Sequence, residues 1–247
     1  MPPEPLGRDE IHLWYVFTAH AGAGRLRACE ELLSEEEQAE RQRFLVERPR
    51  QQHLLARALV RTTLSRYADV SPREWRFARS RFGKPAVAAP AGVPLRFNVS
   101  HSHGVVACAV SREWEIGVDV EDAGRDLDWL GLARWFAAEE QTRLRELPAA
   151  DRRLAFFELW TLKEAYVKAR GEGMSMPLST FAFRTGPGGV EFAPPPDDDP
   201  AAWHFEQFWI GPRHRGALAV RRPPGQAVRL LLREADLLGD CSRGLLS

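Results

Sequence analysis

Short strand-like runs that follow one another with little between them constrain this chain most. Residues 95–99, 105–110 and 116–121 form one such group. Residues 181–184, 190–192, 203–210 and 217–220 form another, which reads as a meander. An earlier run, 11–17, is rich in aromatic and β-branched residues. Helical patterns stand apart from these groups rather than alternating with them. Ser34 is placed to cap a helix, with Glu37 completing a capping box, and that helix runs to about residue 44. Pro49 interrupts, and a second helix is expected over about 50–67, with Leu54, Leu55, Ala58, Leu59 and Leu64 on its apolar face. Residues 129–147 and 151–170 read as two more, the last being the strongest in the chain and ending at Gly171. Residues 72–94 read as loops and short strands, 194–200 as a loop, and the last residues as a frayed tail. The class is α+β with antiparallel pairing rather than a doubly wound sheet. Each half holds helices and several short strands, with a join near 111–115 and no strong residue-level repeat.

The chain has 247 residues, and its 34 basic residues balance 34 acidic ones. That balance excludes a generally basic nucleic-acid-coating protein and an acidic solvating chain. No run approaches the roughly 20 apolar residues that span a bilayer. The first ten residues carry neither a basic n-region nor an apolar h-region, so a cytoplasmic location is expected. Cys29, Cys108 and Cys241 are odd in number and far apart, which suits neither a disulfide framework nor a metal cluster. Only three basic residues are lysine: Lys84, Lys163 and Lys168. In a chain that writes arginine almost everywhere, a retained lysine suits a tight phosphate site, which can prefer a compact point charge to a planar fork.

Four segments carry candidate chemistry. In Ile116-Gly-Val-Asp-Val-Glu121, strand geometry projects Asp119 and Glu121 to one side and Val118 and Val120 to the other. Paired carboxylates repel unless a cation or proton lies between them. They suit Mg²⁺ with substrate phosphates, or simply a wet acidic strand face. In Trp160-Thr-Leu-Lys-Glu-Ala-Tyr-Val-Lys168, Glu164 and Lys168 share a helix face, as a surface ion pair or as part of a metal–phosphate site. In Phe97-Asn-Val-Ser-His-Ser-His-Gly104 a strand runs into a polar turn able to hold an anion. It lacks a Gly-x-Ser-x-Gly elbow and further zinc ligands. The turn Gly83-Lys84-Pro85 presents the remaining lysine.

Together, in this order, the segments resemble the 4′-phosphopantetheinyl transferases of the large, surfactin-synthetase-activating type. That family carries a Gly-Lys-Pro turn, a Phe-Asn-x-Ser-His-Ser segment, a Gly-x-Asp-x-Glu strand and a Trp-x-x-Lys-Glu-Ala-x-x-Lys helix followed by Gly-x-Gly, here Gly171-Glu-Gly173. The resemblance spans about residues 30–185, and all three lysines fall inside it.

The resemblance implies a Mg²⁺-dependent enzyme that moves the 4′-phosphopantetheine arm of coenzyme A onto a serine of an acyl or peptidyl carrier protein, leaving 3′,5′-ADP. It implies a monomeric pseudo-dimer of two similar α+β halves, 1–113 binding coenzyme A phosphates and 114–247 holding the metal and catalytic residues, with the active site in the cleft between them. Asp119, Glu121 and Glu164 would hold Mg²⁺. Glu164 would also be the general base, directly or through water, with Lys168 and His101 as further catalytic residues. Lys84, Pro85, Ser100, His101, Lys163 and Lys168 would bind coenzyme A. Some members grip the 3′-phosphate with lysines on the early helix, but residues 34–40 here are acidic. Arg48, with Arg50 and His53 beside it, is the expected substitute. Arg57 and Arg61, on the core-packing helix, are expected to be partly structural. Trp129, Trp135 and Phe136 are expected to contact the carrier. No nucleic acid or membrane is expected as partner. The carrier's pathway (fatty acid, polyketide or nonribosomal peptide synthesis) stays open. The competing readings are a degenerate carrier- or coenzyme A-binding protein, a Mg²⁺-dependent phosphohydrolase or nucleotidyl transferase, an acyl-coenzyme A-binding module, and a Ser-His-Asp hydrolase on Ser100 or Ser102.

Overall fold

The computed structural model describes residues 3–237, so the expected tail and Cys241 lie outside the described residues. The chain opens with β1 (Glu10–Phe17), α1 (Ala23–Glu30), α2 (Glu35–Gln42) and α3 (Glu47–Tyr67). The strands β2 (Arg76–Arg79), β3 (Pro85–Ala89), β4 (Arg96–Ser102), β5 (Val105–Ser111) and β6 (Glu115–Asp122) follow. Next come α4 (Trp129–Ala133), α5 (Ala138–Glu146), α6 (Ala149–Arg170), β7 (Ala182–Gly186), β8 (Gly189–Ala193), β9 (Trp203–Ile210), β10 (His214–Arg221) and β11 (Arg229–Glu234). The protein is α+β. One sheet has the order β11-β1-β5-β4 and a second the order β6-β10-β9, and β2-β3 and β7-β8 are separate hairpins.

Three cores explain the arrangement. On β5, Val106, Cys108 and Val110 face α3 and join Leu54, Leu55, Leu59 and Trp75. The alternate residues Val105, Ala107 and Ala109 face the other way. They pack with Ile11 and Leu13 of β1 against Ile116, Val118 and Val120 of β6 and Leu218 and Val220 of β10. On the far side of the second sheet, Ala217 and Ala219 meet Phe156, Phe157, Leu162 and Tyr166 around α6. The period-two alternation of buried strands thus builds layers: α3, the first sheet, the second sheet, α6.

Several expectations are adjusted. The helix α3 starts three residues before the expected start, because Pro49 sits in the first turn, where no backbone N–H is needed. The expected helix over 129–147 is two, α4 and α5. The Glu140 carboxylate accepts from Ala137 N–H and so starts α5 afresh. The four late strands are not one meander but a hairpin and two strands of the second sheet. Two elements escape the sequence reading. One is α1, a Gly-flanked helix that buries only Cys29. The other is β11, which pairs in parallel with β1 and brings the end of the described chain back onto the first sheet.

Candidate active site

The site forms where β4, β6 and α6 meet. Close approach of β6 to α6 depends on Gly117, where an added Cβ would lie 2.0 Å from Ala165 O and 2.4 Å from Ala169 N. That contact brings Lys168 of α6 over β6. Its Nζ lies 2.7 Å from Asp119 Oδ1 and 3.0 Å from Ser100 Oγ, and donates to Val118 O at 3.2 Å. Ser100 Oγ in turn donates to Asp119 Oδ1 at 2.9 Å. Two residues further along each strand, Ser102 Oγ donates to Glu121 Oε2 at 2.7 Å, and the Arg125 guanidinium lies 3.3 Å from the same oxygen. The helix α6 ends beside this group at Gly171, whose φ of 71° supplies the left-handed cap.

The electrostatics follow from crowding carboxylates in a half-buried place. Burial, then the charge of Asp119, pushes the Glu121 carboxyl up to about 7. Burial and the same Asp119 charge also raise Glu164, while Lys168 pulls it down. Asp119 Oδ2 is buried without a hydrogen-bond partner. Among the described residues no group of three His, Cys, Asp or Glu side chains forms a ready-made metal shell. The donor set still fits a hard divalent cation: it is all carboxylate oxygen, one of those oxygens is orphaned, and two of the three carboxyls are destabilised by negative charge that a cation would offset.

A cavity of about 820 Å³ opens at this point, lined by Lys84, Pro85, Trp135, Glu164, Lys168 and Gly171 among others. A smaller one of about 230 Å³ is lined by Phe44, His53, Arg57, Arg79 and His101, and Pro85 and Val99 line both. The larger cavity thus collects Pro85, Glu164 and Lys168, and the smaller one Pro85, His53 and His101. Ser100 is buried, next in the chain to Val99 and His101. Lys84 reaches across from the first half of the chain, with Nζ 3.1 Å from Glu115 Oε2 and donating to Ile116 O and Ala169 O. His53 Nε2 is 3.4 Å from Glu40, and burial lowers its pKa. Arg48 is exposed in the first turn of α3. Arg50 donates to Phe44 O and pairs with Glu47. Arg61 is buried, held by Glu37 at 2.8 Å and by Pro72 O and Trp75 O.

Two expectations do not match these positions. Lys163, expected to bind coenzyme A, lines neither cavity. It is fully buried, 2.7 Å from Glu140, and donates to Leu178 O and Phe181 O. Its place one residue before Glu164 turns it into the core around α6, away from the face that carries Glu164 and Lys168. Phe136 is also buried, stacked on Phe156 at 5.4 Å, and Trp129 is half-buried against the same ring, so neither forms an open surface. Trp135 alone of the three is exposed, at 68%. Residues absent from the sequence reading of the site are Arg125 and the pairing of Ser102 with Glu121. The alternation Asn98-x-Ser100-x-Ser102, three buried polar residues on one face of an edge strand, is the available signal.

Comparison with known proteins adds the following. A family model described as the 4′-phosphopantetheinyl transferase superfamily matches residues 115–219, and one described as 4′-phosphopantetheinyl transferase, N-terminal, matches residues 23–113. The chain is 35% identical over 171 residues to 4′-phosphopantetheinyl transferase HetI of Nostoc sp., covering 68% of this chain and 71% of that protein. It is 27% identical over 191 residues to 4′-phosphopantetheinyl transferase Sfp of Bacillus subtilis, covering 77% and 83%. Among solved structures, Thermotoga maritima holo-[acyl-carrier-protein] synthase aligns with a TM-score of 0.35 at 21% identity, over 44% of this chain and 62% of that one.

Proposed function

This chain belongs to the 4′-phosphopantetheinyl transferase superfamily and is an enzyme of that kind, and we propose that it carries a serine of an acyl or peptidyl carrier protein to the holo form in a Mg²⁺-dependent reaction. The serine oxygen bonds to the phosphorus that bears the pantetheine arm of coenzyme A. The bond between that phosphorus and the bridging pyrophosphate oxygen breaks, and 3′,5′-ADP leaves with the electron pair. The observation that carries this reading is Asp119 at the hub of the site, one oxygen on Lys168 and Ser100 and the other orphaned, with Glu121 and Glu164 beside it.

Asp119, Glu121 and Glu164 would hold a divalent cation, which when bound neutralises pyrophosphate charge. Glu164, raised by burial, accepts the serine proton directly or through water. Lys168 is already held against Asp119 at 2.7 Å and offers its ammonium to the transferred phosphoryl oxygens when coenzyme A enters. Lys84, Pro85, Ser100 and His101 line the coenzyme A path, with His53 and the exposed Arg48 toward the 3′-phosphate. Lys163 has no part in this reading. Trp135, exposed at the rim of the larger cavity, is the carrier contact that remains of the three expected aromatics.

We further propose that residues 1–113 and 114–247 form two similar halves of a monomeric pseudo-dimer, and that the cleft between them is the active site. A long helix packed on three antiparallel strands in each half, α3 on β1-β5-β4 and α6 on β6-β10-β9, supports this. Among the described residues no helix is long and apolar enough to cross a membrane, and action on cytoplasmic carriers is part of the proposal.

The test is the intact mass of an apo carrier protein after incubation with the enzyme, coenzyme A and Mg²⁺, in parallel with EDTA and with Glu164→Gln. The expected result is one added phosphopantetheine arm, lost in both controls. Unmodified carriers of all three pathway types, with coenzyme A still bound by the protein, would overturn the transfer reading.

A further inference from the structure

The two sheets meet at β4 and β6, yet no backbone ladder joins them. Side chains of β4 take the place of a backbone partner. Val118 N–H donates to Asn98 Oδ1 at 2.8 Å, Val120 N–H to Ser100 Oγ at 3.2 Å and Asp122 N–H to Ser102 Oγ at 3.0 Å. The register is constant at twenty residues, so the two strands run parallel and every second residue of β4 makes one rung. All three rung residues are buried. A chain of this kind satisfies the backbone of an edge strand that would otherwise be left with unpaired N–H groups in the interior.

The rungs differ in what else they do. Asn98 satisfies backbone only. Ser100 and Ser102 also donate to a carboxylate, Asp119 and Glu121 respectively. A hydroxyl has one proton and two lone pairs. Because Ser102 Oγ already accepts from Asp122 N–H, its proton is free to go to Glu121 Oε2, at 2.7 Å. The Arg125 contact goes to the same oxygen. Glu121 is thus held through Oε2 by a group anchored on the other sheet.

We propose that Ser102 is a positioning residue for Glu121: its hydroxyl, fixed by the β4–β6 junction, orients that carboxylate for divalent-cation binding, so that cation affinity depends on the contact between the two sheets. The inference rests on the proposed role of Glu121 as a cation ligand. Outer partners of ligating carboxylates act in this way, and their loss typically costs about 10–100-fold in metal affinity.

The experiment titrates Mn²⁺ into the full-length protein in the presence of coenzyme A and follows the free-ion electron paramagnetic resonance signal, with a protein-free control. Thermal midpoints are measured in parallel. Ser102→Ala is expected to weaken Mn²⁺ binding by about ten-fold or more. Ser102→Thr, which keeps the hydroxyl, should restore it. Asn98→Ala removes a rung without touching a carboxylate. It should lower the thermal midpoint as Ser102→Ala does while leaving Mn²⁺ affinity within about two-fold, on the ground that sites without shared partners do not couple. In a Glu121→Gln background, adding Ser102→Ala should cause no further loss of affinity. Unchanged Mn²⁺ binding in Ser102→Ala overturns the proposal alone. So does an equal loss of affinity in Asn98→Ala, which would make the effect one of the junction and not of the hydroxyl. Wild-type protein that takes up no Mn²⁺ beyond the control overturns the cation reading itself, and this inference with it.

Discussion

Lys163 and Glu164 are neighbours in sequence and serve different places. On a helix, adjacent side chains diverge by about 100°, so one can enter the core while the next faces the cavity. Lys163 is 0% exposed, and its ammonium pairs with Glu140, which is itself buried and accepts from Ala137 N–H and Phe183 N–H. Burial pulls the ammonium down, to about 8, and pushes the Glu140 carboxyl up, while their attraction opposes both shifts. The pair ties α5 to α6 and to the loop before β7. Removing one partner strands the other, so Lys163→Met should cost about 3–5 kcal/mol. Lys163→Met with Glu140→Gln should recover part of that loss, because no net charge is then left inside. Urea unfolding of the three proteins checks both statements. A loss below about 1 kcal/mol in the single variant would refute the structural assignment. This case also marks how far residue type is legible in sequence. The scarcity of lysine singles out three positions, but it cannot say whether the reason is a phosphate or a cramped interior. Lys168 has its ammonium at the cavity, Lys84 has its own on backbone carbonyls of β6 and α6, and Lys163 is wholly internal.

At the scale of elements, the local rules that held were those with a strong physical signal. The capping box at Ser34 and Glu37 is formed, with Glu37 N–H donating to Ser34 Oγ and Ser34 N–H to Glu37 Oε2. Strands with a clear pattern, the continuous apolar run of β5 and the alternating β6, stand where that pattern puts them. What escaped were elements that owe their form to distant partners. The strand β11 has charged ends and an exposed side, and exists because β1 offers an open edge. The helix α1 has glycines at its start and little apolar face. The motif glycine of Gly117-x-Asp-x-Glu has a use that sequence alone does not show, since it is the distance between β6 and α6 that requires it. Gly117→Ala would force a methyl group to within 2.0 Å of a backbone carbonyl, and neither partner is a flexible side-chain end. Strand and helix must part, and Asp119 and Lys168 with them. Gly117→Ala is therefore expected to lose transferase activity by at least about a hundred-fold, since displacements of about 1 Å can cost that much. Its thermal midpoint should also fall. Carrier modification followed by mass, with circular dichroism on the same sample, checks this. Wild-type rates in a folded Gly117→Ala protein would show that the close approach does not set the site.

At the scale of the whole molecule, the middle core is shared. Ile11, Leu13, Val105, Ala107 and Ala109 from the first sheet are buried only because Ile116, Val118, Val120, Leu218 and Val220 from the second lie against them. The first sheet also needs β11, which arrives from the far end of the described chain, and its α3 core takes in Ala235 and Leu237. Two halves that resemble separate domains in sequence outline are therefore joined by burial, by the β4–β6 rungs and by Lys84 bonded to β6 and α6. Such coupling predicts one cooperative transition rather than two. Tryptophans sample both parts, with Trp14 and Trp75 in the α3 core and Trp203 in the α6 core. In urea, tryptophan fluorescence and far-ultraviolet circular dichroism should give the same midpoint. The fragment 1–113 should not fold alone. It would expose the apolar face of β1 and β5 to water and leave the β1 edge open to other chains, a recognised route to aggregation. A fragment with a cooperative melt of its own, or full-length unfolding in two separated steps, would show that the middle core does not bind the halves into one unit. The proposed cation ligands Asp119, Glu121 and Glu164 would then sit on a half that could be studied, and titrated, without the other.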